Sequence, residues 1–131
     1  MDKSRVDQAL KDFSAKLPDA PEWMIVIRVN GEFISRIGEY SYLPHMTIDD
    51  NTASLATFTH GMNLLTTLDH LRFGNLQYSL TIGSKRMFML VHLNDAFFLG
   101  ISYIGVQSID ATIEEVLLWS RDILEAVNPT M

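Results

Sequence analysis

Apolar residues recur at a helical spacing in three long stretches of this chain and alternate or run together in five short ones. Residues 2–17 place Val6, Leu10, Phe13 and Leu17 on one narrow stripe among Asp, Lys, Arg and Gln. That pattern predicts an amphipathic helix, ended by Pro18 and Pro21. Trp23–Val29 is a β-branched strand, Asn30-Gly31 a two-residue turn, and Glu32–Ile37 its returning partner with the weaker alternation of an edge strand. Residues 38–50 hold Gly38, Pro44 and the Asp49-Asp50 pair, a loop leading into a helix start.

Asn51 to about Leu71 is the second helix. At 100° per residue, Ala53, Leu55, Phe58, Met62, Leu64, Leu65, Leu68 and Leu71 cover an arc roughly 200° wide. One sheet covers about half of that, so the remainder lies under a loop or against a second molecule, and the second molecule is the favoured reading. Leu64 is the side chain farthest round the arc from Leu55 and is expected to face that molecule. Asn75–Ile82 (NLQYSLTI) alternates most cleanly, with Leu76, Tyr78, Leu80 and Ile82 inward and Asn75, Gln77, Ser79 and Thr81 outward. A half-polar strand suits a sheet edge, where its open hydrogen-bonding row can pair with a copy of itself.

Arg86–Leu93 and Ala96–Tyr103 are apolar strands joined at Asn94-Asp95. Phe88, Leu90 and His92 share one face of the first strand, opposite Met87, Met89, Val91 and Leu93. In the second, Phe97, Leu99 and Ile101 oppose Phe98, Gly100 and Ser102. Strands apolar on both faces require cover on both, which places this hairpin in the middle of a sheet between helices. Residues 111–127 form the last helix, buried through Ile113, Val116, Leu117, Ile123, Leu124 and Val127 and ended by Asn128-Pro129. Thr112 and Glu115 can form its capping box, with Asp110 as a competing N-cap. The expected fold is α+β, in the order αββαβββα. Its five-stranded antiparallel sheet has the order 2-1-5-4-3, with the second helix on one face and the terminal helices on the other.

Composition narrows the classes. At 131 residues a single domain spanning 1–131 can bury a core unaided. A net charge of −6 argues against nucleic acid, and no apolar run is long enough to span a bilayer. The absence of cysteine removes disulfides, thiolate metal sites and a thiol nucleophile. MDKSRVDQALKDF is charged throughout and unlike a signal peptide, so a cytoplasmic protein is expected.

The strand-turn-strand IVIRVNGEFISR, the run DAFFLGISY and the last helix ATIEEVLLWSRDILEAV together resemble the Roadblock family, dynein light-chain roadblock-type domains and the bacterial and archaeal branch of small-GTPase regulators. Where relatives carry an Asn-Leu-Gly stretch before the final helix, this chain has Gln107-Ser108-Ile109-Asp110. The resemblance implies a profilin/longin-like fold and a dimer in which second helix and third strand pair across a two-fold axis. It also implies a Ras-like small GTPase as partner, or a scaffold role. The interface residues so implied are Leu55, Phe58, Met62, Leu64, Leu65 and Leu68 of the helix and Gln77, Ser79 and Thr81 of the strand. Neither a cofactor nor catalysis is implied.

The remaining chemistry has bland readings. His60 and His70 are about 80° apart in helical projection and cannot share a metal, whose helical ligands stand three or four residues apart. His92 reads as a hydrogen-bonded core or interface histidine. His45 with Asp49 and Asp50 reads as helix-capping acids and a neighbour rather than a cation site. GISYIG lacks the Lys and Ser/Thr of a phosphate loop. Met24, Met46, Met62, Met87 and Met89 offer an adaptable surface, although core filling suits Met87 and Met89 better. Trp119 beside Leu118 is either a partner anchor or simple packing. Arg28, Arg36, Arg72 and Arg86 lie on strands or their ends, none on an evident catalytic finger. A homodimeric, non-enzymatic GTPase adaptor is the leading expectation, ahead of a nucleotide-insensitive scaffold subunit and a small-molecule sensor. No nucleophile–base–orienter set can be assembled for an enzyme.

Overall fold

Strand parity decides the architecture. The computed structural model describes residues 1–40 and 48–128. The elements are α1 (Lys3–Lys16), β1 (Trp23–Arg28), β2 (Phe33–Gly38), α2 (Asp50–Leu71), β3 (Tyr78–Ile82), β4 (Met87–Asn94), β5 (Phe97–Tyr103) and α3 (Ile109–Val127). All pairings are antiparallel and the sheet order is β2-β1-β5-β4-β3, as the apolar hairpin requires: every residue of the central β5 is buried.

The odd residues of β4 and β5, with Met24 and Val26 of β1, form one core beneath α1 and α3. Phe88, Leu90, Phe98, Ile25 and Ile27 form a second beneath α2. Val6, Leu10, Phe13 and Leu17 of the predicted α1 stripe are all buried. On α3, Val116, Ile123 and Val127 are buried, but Leu117 is 37% exposed, turned toward the edge of the sheet. Helices α1 and α3 lie side by side, joined by a 3.0 Å Lys16–Asp122 ion pair. The Lys16 ammonium stands 4.4 Å from the centre of the Trp119 ring, and the Trp119 indole donates to Glu115 at 2.8 Å. Packing therefore accounts for Trp119, while Leu118 remains 47% exposed.

Several local expectations are corrected. The β1–β2 turn is a three-residue loop, closed by Arg28 N–H to the Glu32 carbonyl at 2.8 Å. Gly31 takes φ +97°, which a side chain disfavours, and Asn30 Oδ1 accepts from Glu32 N–H. In the β4–β5 turn, Asn94 pairs with Phe97, and its side chain accepts from the Ala96 and Phe97 amides, leaving Asp95 and Ala96 as the loop. The N-cap of α3 is Ser108, whose hydroxyl accepts from Ala111 N–H, so neither Asp110 nor Thr112 caps it. Strand β3 begins only at Tyr78, and Asn75–Gln77 lie before it. Arg72 is not at a strand end: it is the left-handed C-cap of α2. His45, Met46 and Pro129 lie outside the described residues.

Two aromatic rings on the α2 side each lie over a glycine. A Cβ at Gly61 of α2 would stand 2.7 Å from the Phe98 ring, and one at Gly100 of β5 would stand 2.8 Å from Phe88 Cζ and 3.1 Å from Ile25 Cγ2. Gly100→Ala is accordingly expected to lower stability by about 1–3 kcal/mol in a urea melt, although alanine suits a strand better than glycine. A stabilised variant would show that the Phe88 ring moves aside freely.

Candidate functional site

Helix α2 is held at its first turn. Asp49 is the N-cap and accepts from Thr52 N–H at 2.7 Å; these hydrogen bonds hold its carboxyl below the ordinary value. A depressed pKa means stability that is present at neutral pH and lost as pH falls through the folded value, below the ordinary 3.8. Asp49→Ala is thus expected to be less stable at pH 7, with the gap to the parent closing as acid protonates the cap, as paired thermal melts would show. The next residue, Asp50, accepts from Arg36 at 2.8 Å and from the Tyr40 hydroxyl at 2.6 Å. Burial first, then the bond to Asp50, push the Tyr40 phenol well above its usual range. The Tyr40 ring meets Trp23 edge-on at 5.1 Å, so the helix start is fastened to β1 and β2.

The face that α2 turns to the sheet is made of small residues. Ala53, Ser54, Thr57 and Gly61 are buried, whereas Leu55 is 64% and Met62 37% exposed. Phe58, Leu64, Leu65 and Leu68 are half-buried, packed around the second core. The breadth of the predicted apolar arc is real, but its assignment changes. Leu64 packs on this chain's own sheet, and the outward residues are Leu55 and Met62. Small side chains opposite Phe98 bring the helix close, which hydrophobicity along the chain does not reveal.

Each flank of α2 borders a groove. Toward β3, Thr52, Ala56, Thr57 and His60 face Trp23, Phe88 and Thr81 across an apolar groove of about 280 Å³. The His60 Nε2 is buried there with no hydrogen-bond partner among the described residues, and its ring meets Phe88 edge-on at 6.1 Å. On the other flank, Met62, Leu65, Leu68 and Asp69 face Leu76, His92 and Asp95 across a groove of about 340 Å³. Sequence reasoning missed Thr52 and Ala56, since neither hydrophobicity nor charge marks them, and read His60 as a solvated or interface histidine without tying it to this groove.

Strand β3 is an edge of the sheet, so one of its hydrogen-bonding rows is open. Ser79 and Thr81 pair with Leu90 and Phe88 and share the α2 face, Ser79 half-buried and Thr81 exposed. Tyr78, Leu80 and Ile82 take the other face. There Leu80 packs on the first core, while Tyr78 is 37% and Ile82 63% exposed because α3 stops short of the edge. Gln77 is exposed just before the strand, its carbonyl accepting from His92 N–H at 3.0 Å. The structure thus brings Ser79 and Thr81 to the same side as Ala56 and His60, and leaves Leu55, Phe58, Met62 and Leu65 on the remaining arc of the helix.

The other candidates are structural. His92 Nδ1 lies 3.2 Å from the Leu76 carbonyl. No cluster of three or more His, Asp or Glu suited to a metal occurs among the described residues. Met24, Met87 and Met89 are core. Arg28, Arg36 and Arg86 are engaged by Glu32, Asp50 and Glu22 at 2.9, 2.8 and 3.1 Å.

No family model matches this sequence, and no curated protein matches it. Solved structures do match its fold. MglB of Myxococcus xanthus superposes with a TM-score of 0.79 at 10% identity, covering 96% of this chain and 90% of that one. A Roadblock/LC7 domain from Streptomyces avermitilis gives 0.72 at 10% identity, with 94% of each chain covered. An MglB in a tetrameric arrangement gives 0.71 at 13% identity over 95% of this chain and 86% of that one. The fold of this chain is the Roadblock fold.

Proposed function

We propose that this chain, a Roadblock-fold protein, works as a homodimer that binds a Ras-like small GTPase and modulates its nucleotide cycle or location without catalysis of its own. The observation that carries the dimer is the open edge of β3 beside the small-residue flank of α2. A second copy related by a two-fold axis would extend the sheet through β3 and lay its own α2 against Thr52, Ala56 and His60. Small side chains let two helices approach closely, and a paired edge removes an aggregation risk.

The GTPase comes from the Roadblock resemblance, and two features fit it. Leu55 and Met62 remain on the outer surface of α2, an apolar surface for a third protein. Arg28, Arg36 and Arg86 are tied by ion pairs within this chain, so stimulation of hydrolysis is proposed to act by reshaping the partner's own site rather than through one of these three supplied in trans. No helix among the described residues is long and apolar enough to cross a membrane, and we place the complex in the cytoplasm. The grooves of about 280 and 340 Å³ lie at the small end for a metabolite site, so a sensor role is disfavoured. Sedimentation equilibrium tests the dimer: a mass twice the 14.9 kDa of the chain supports it. A monomer at every concentration tested contradicts it.

A further inference from the structure

The groove on the other flank of α2 has an apolar floor and an acidic rim, and nothing in the proposed dimer covers it. Met62, Leu65 and Leu68 form one wall, with Leu76 opposite; the carboxylates of Asp69 and Asp95 line the same hollow. Both acids are exposed, and neither makes an ion pair among the described residues. Arg72 borders the adjoining hollow with Asp69 but is not paired to it. The exposed Met62 and the two unpaired carboxylates beside it do little for this chain's own fold. They do complement a ligand that brings apolar groups and positive charge together.

We propose that this groove binds a basic amphipathic segment of another protein. Its apolar side chains would rest on Met62, Leu65 and Leu68, and a Lys or Arg would sit between Asp69 and Asp95. Methionine at the exposed lip suits such an occupant, because its unbranched side chain adapts to different apolar shapes. An amphipathic helix in a groove presents its apolar anchors at i, i+3, i+4 and i+7, and cationic flanks then meet acids at the rim. The groove lies on the opposite flank of α2 from Thr52, Ala56 and His60, the flank on which the proposed dimer is seated.

The test is fluorescence titration with a synthetic peptide of about 18 residues, leucine at helical spacing and lysine elsewhere, long enough to hold a helix. Wild-type protein is expected to bind it saturably and less tightly as salt rises. The double variant Asp69→Asn/Asp95→Asn is expected to bind about five- to tenfold more weakly, two exposed ion pairs being lost. Met62→Ser is expected to weaken binding similarly by removing the apolar lip of the wall. A charge-matched control on α3, Glu114→Gln/Glu125→Gln, should leave the affinity unchanged, which separates this groove from the general attraction of a −6 protein for cations. Absence of saturable binding overturns the proposal. So does a groove variant no weaker than the control, or equal affinity for the same peptide with glutamate in place of lysine.

Discussion

Replacing Phe98 with alanine is expected to lower the unfolding free energy by about 3–5 kcal/mol, the range for truncating a buried aromatic. Phe98 is fully buried near the start of β5; its ring reaches Gly61 of α2 and packs on His92 with centroids 5.4 Å apart. Removing it takes away the ring over which Gly61 of α2 lies. The interaction with Gly61 gives a second, sharper expectation. In the parent, Gly61→Ala drives a methyl group into the ring and is expected to destabilise. In the Phe98→Ala background the space is open, and the same substitution is expected to stabilise by up to ~1 kcal/mol through helix propensity. Urea denaturation of the four proteins measures both. An equal effect of Gly61→Ala in the two backgrounds would mean that the ring does not set the height of α2.

Ala56→Lys is expected to convert the dimer into a folded monomer, raising its dissociation constant by at least about a hundredfold. Ala56 is exposed on the isolated chain, so a lysine there finds water and the fold is unaffected. In the proposed seam the same ammonium would be buried between two helices with no acid on the groove wall to pair with it. Light scattering reads the mass, and a melting curve shows whether the chain stays folded. Retention of the dimer by a folded variant would move the interface elsewhere. Leu64→Asp, which the sequence pattern favours for this test, is unsuitable because Leu64 packs against its own sheet.

Most of the architecture was legible because it rests on parity. Phe88, Leu90 and His92 against Met87, Met89 and Val91 define two faces, two faces require two layers of cover, and the sheet order follows from placing the doubly apolar hairpin at the centre. Turn geometry was legible less well. Asn30-Gly31 marks a turn, but whether two or three residues form the loop depends on which amide reaches the Glu32 carbonyl. The site was least legible. An apolar arc says how much of a helix wants cover, not which part is turned inward. On α2 the inward part is small, because Phe98 fills the space that leucines would otherwise take. Hydrophobicity therefore pointed to Leu64, while the flank beside β3 consists of Thr52, Ala56 and His60. The half-polar character of β3 did mark its position at the edge, since Ser79 and Thr81 need no cover there.

The small-GTPase partner is the central claim. The deciding measurement is affinity capture from a lysate of the source organism with tagged protein, run in parallel with GDP and with a non-hydrolysable GTP analogue. A Ras-like small GTPase enriched in one nucleotide state, and lost with the Ala56→Lys variant, is the predicted result. Capture of other proteins equally in both states, with no GTPase in either, would contradict the account and identify a scaffold subunit instead.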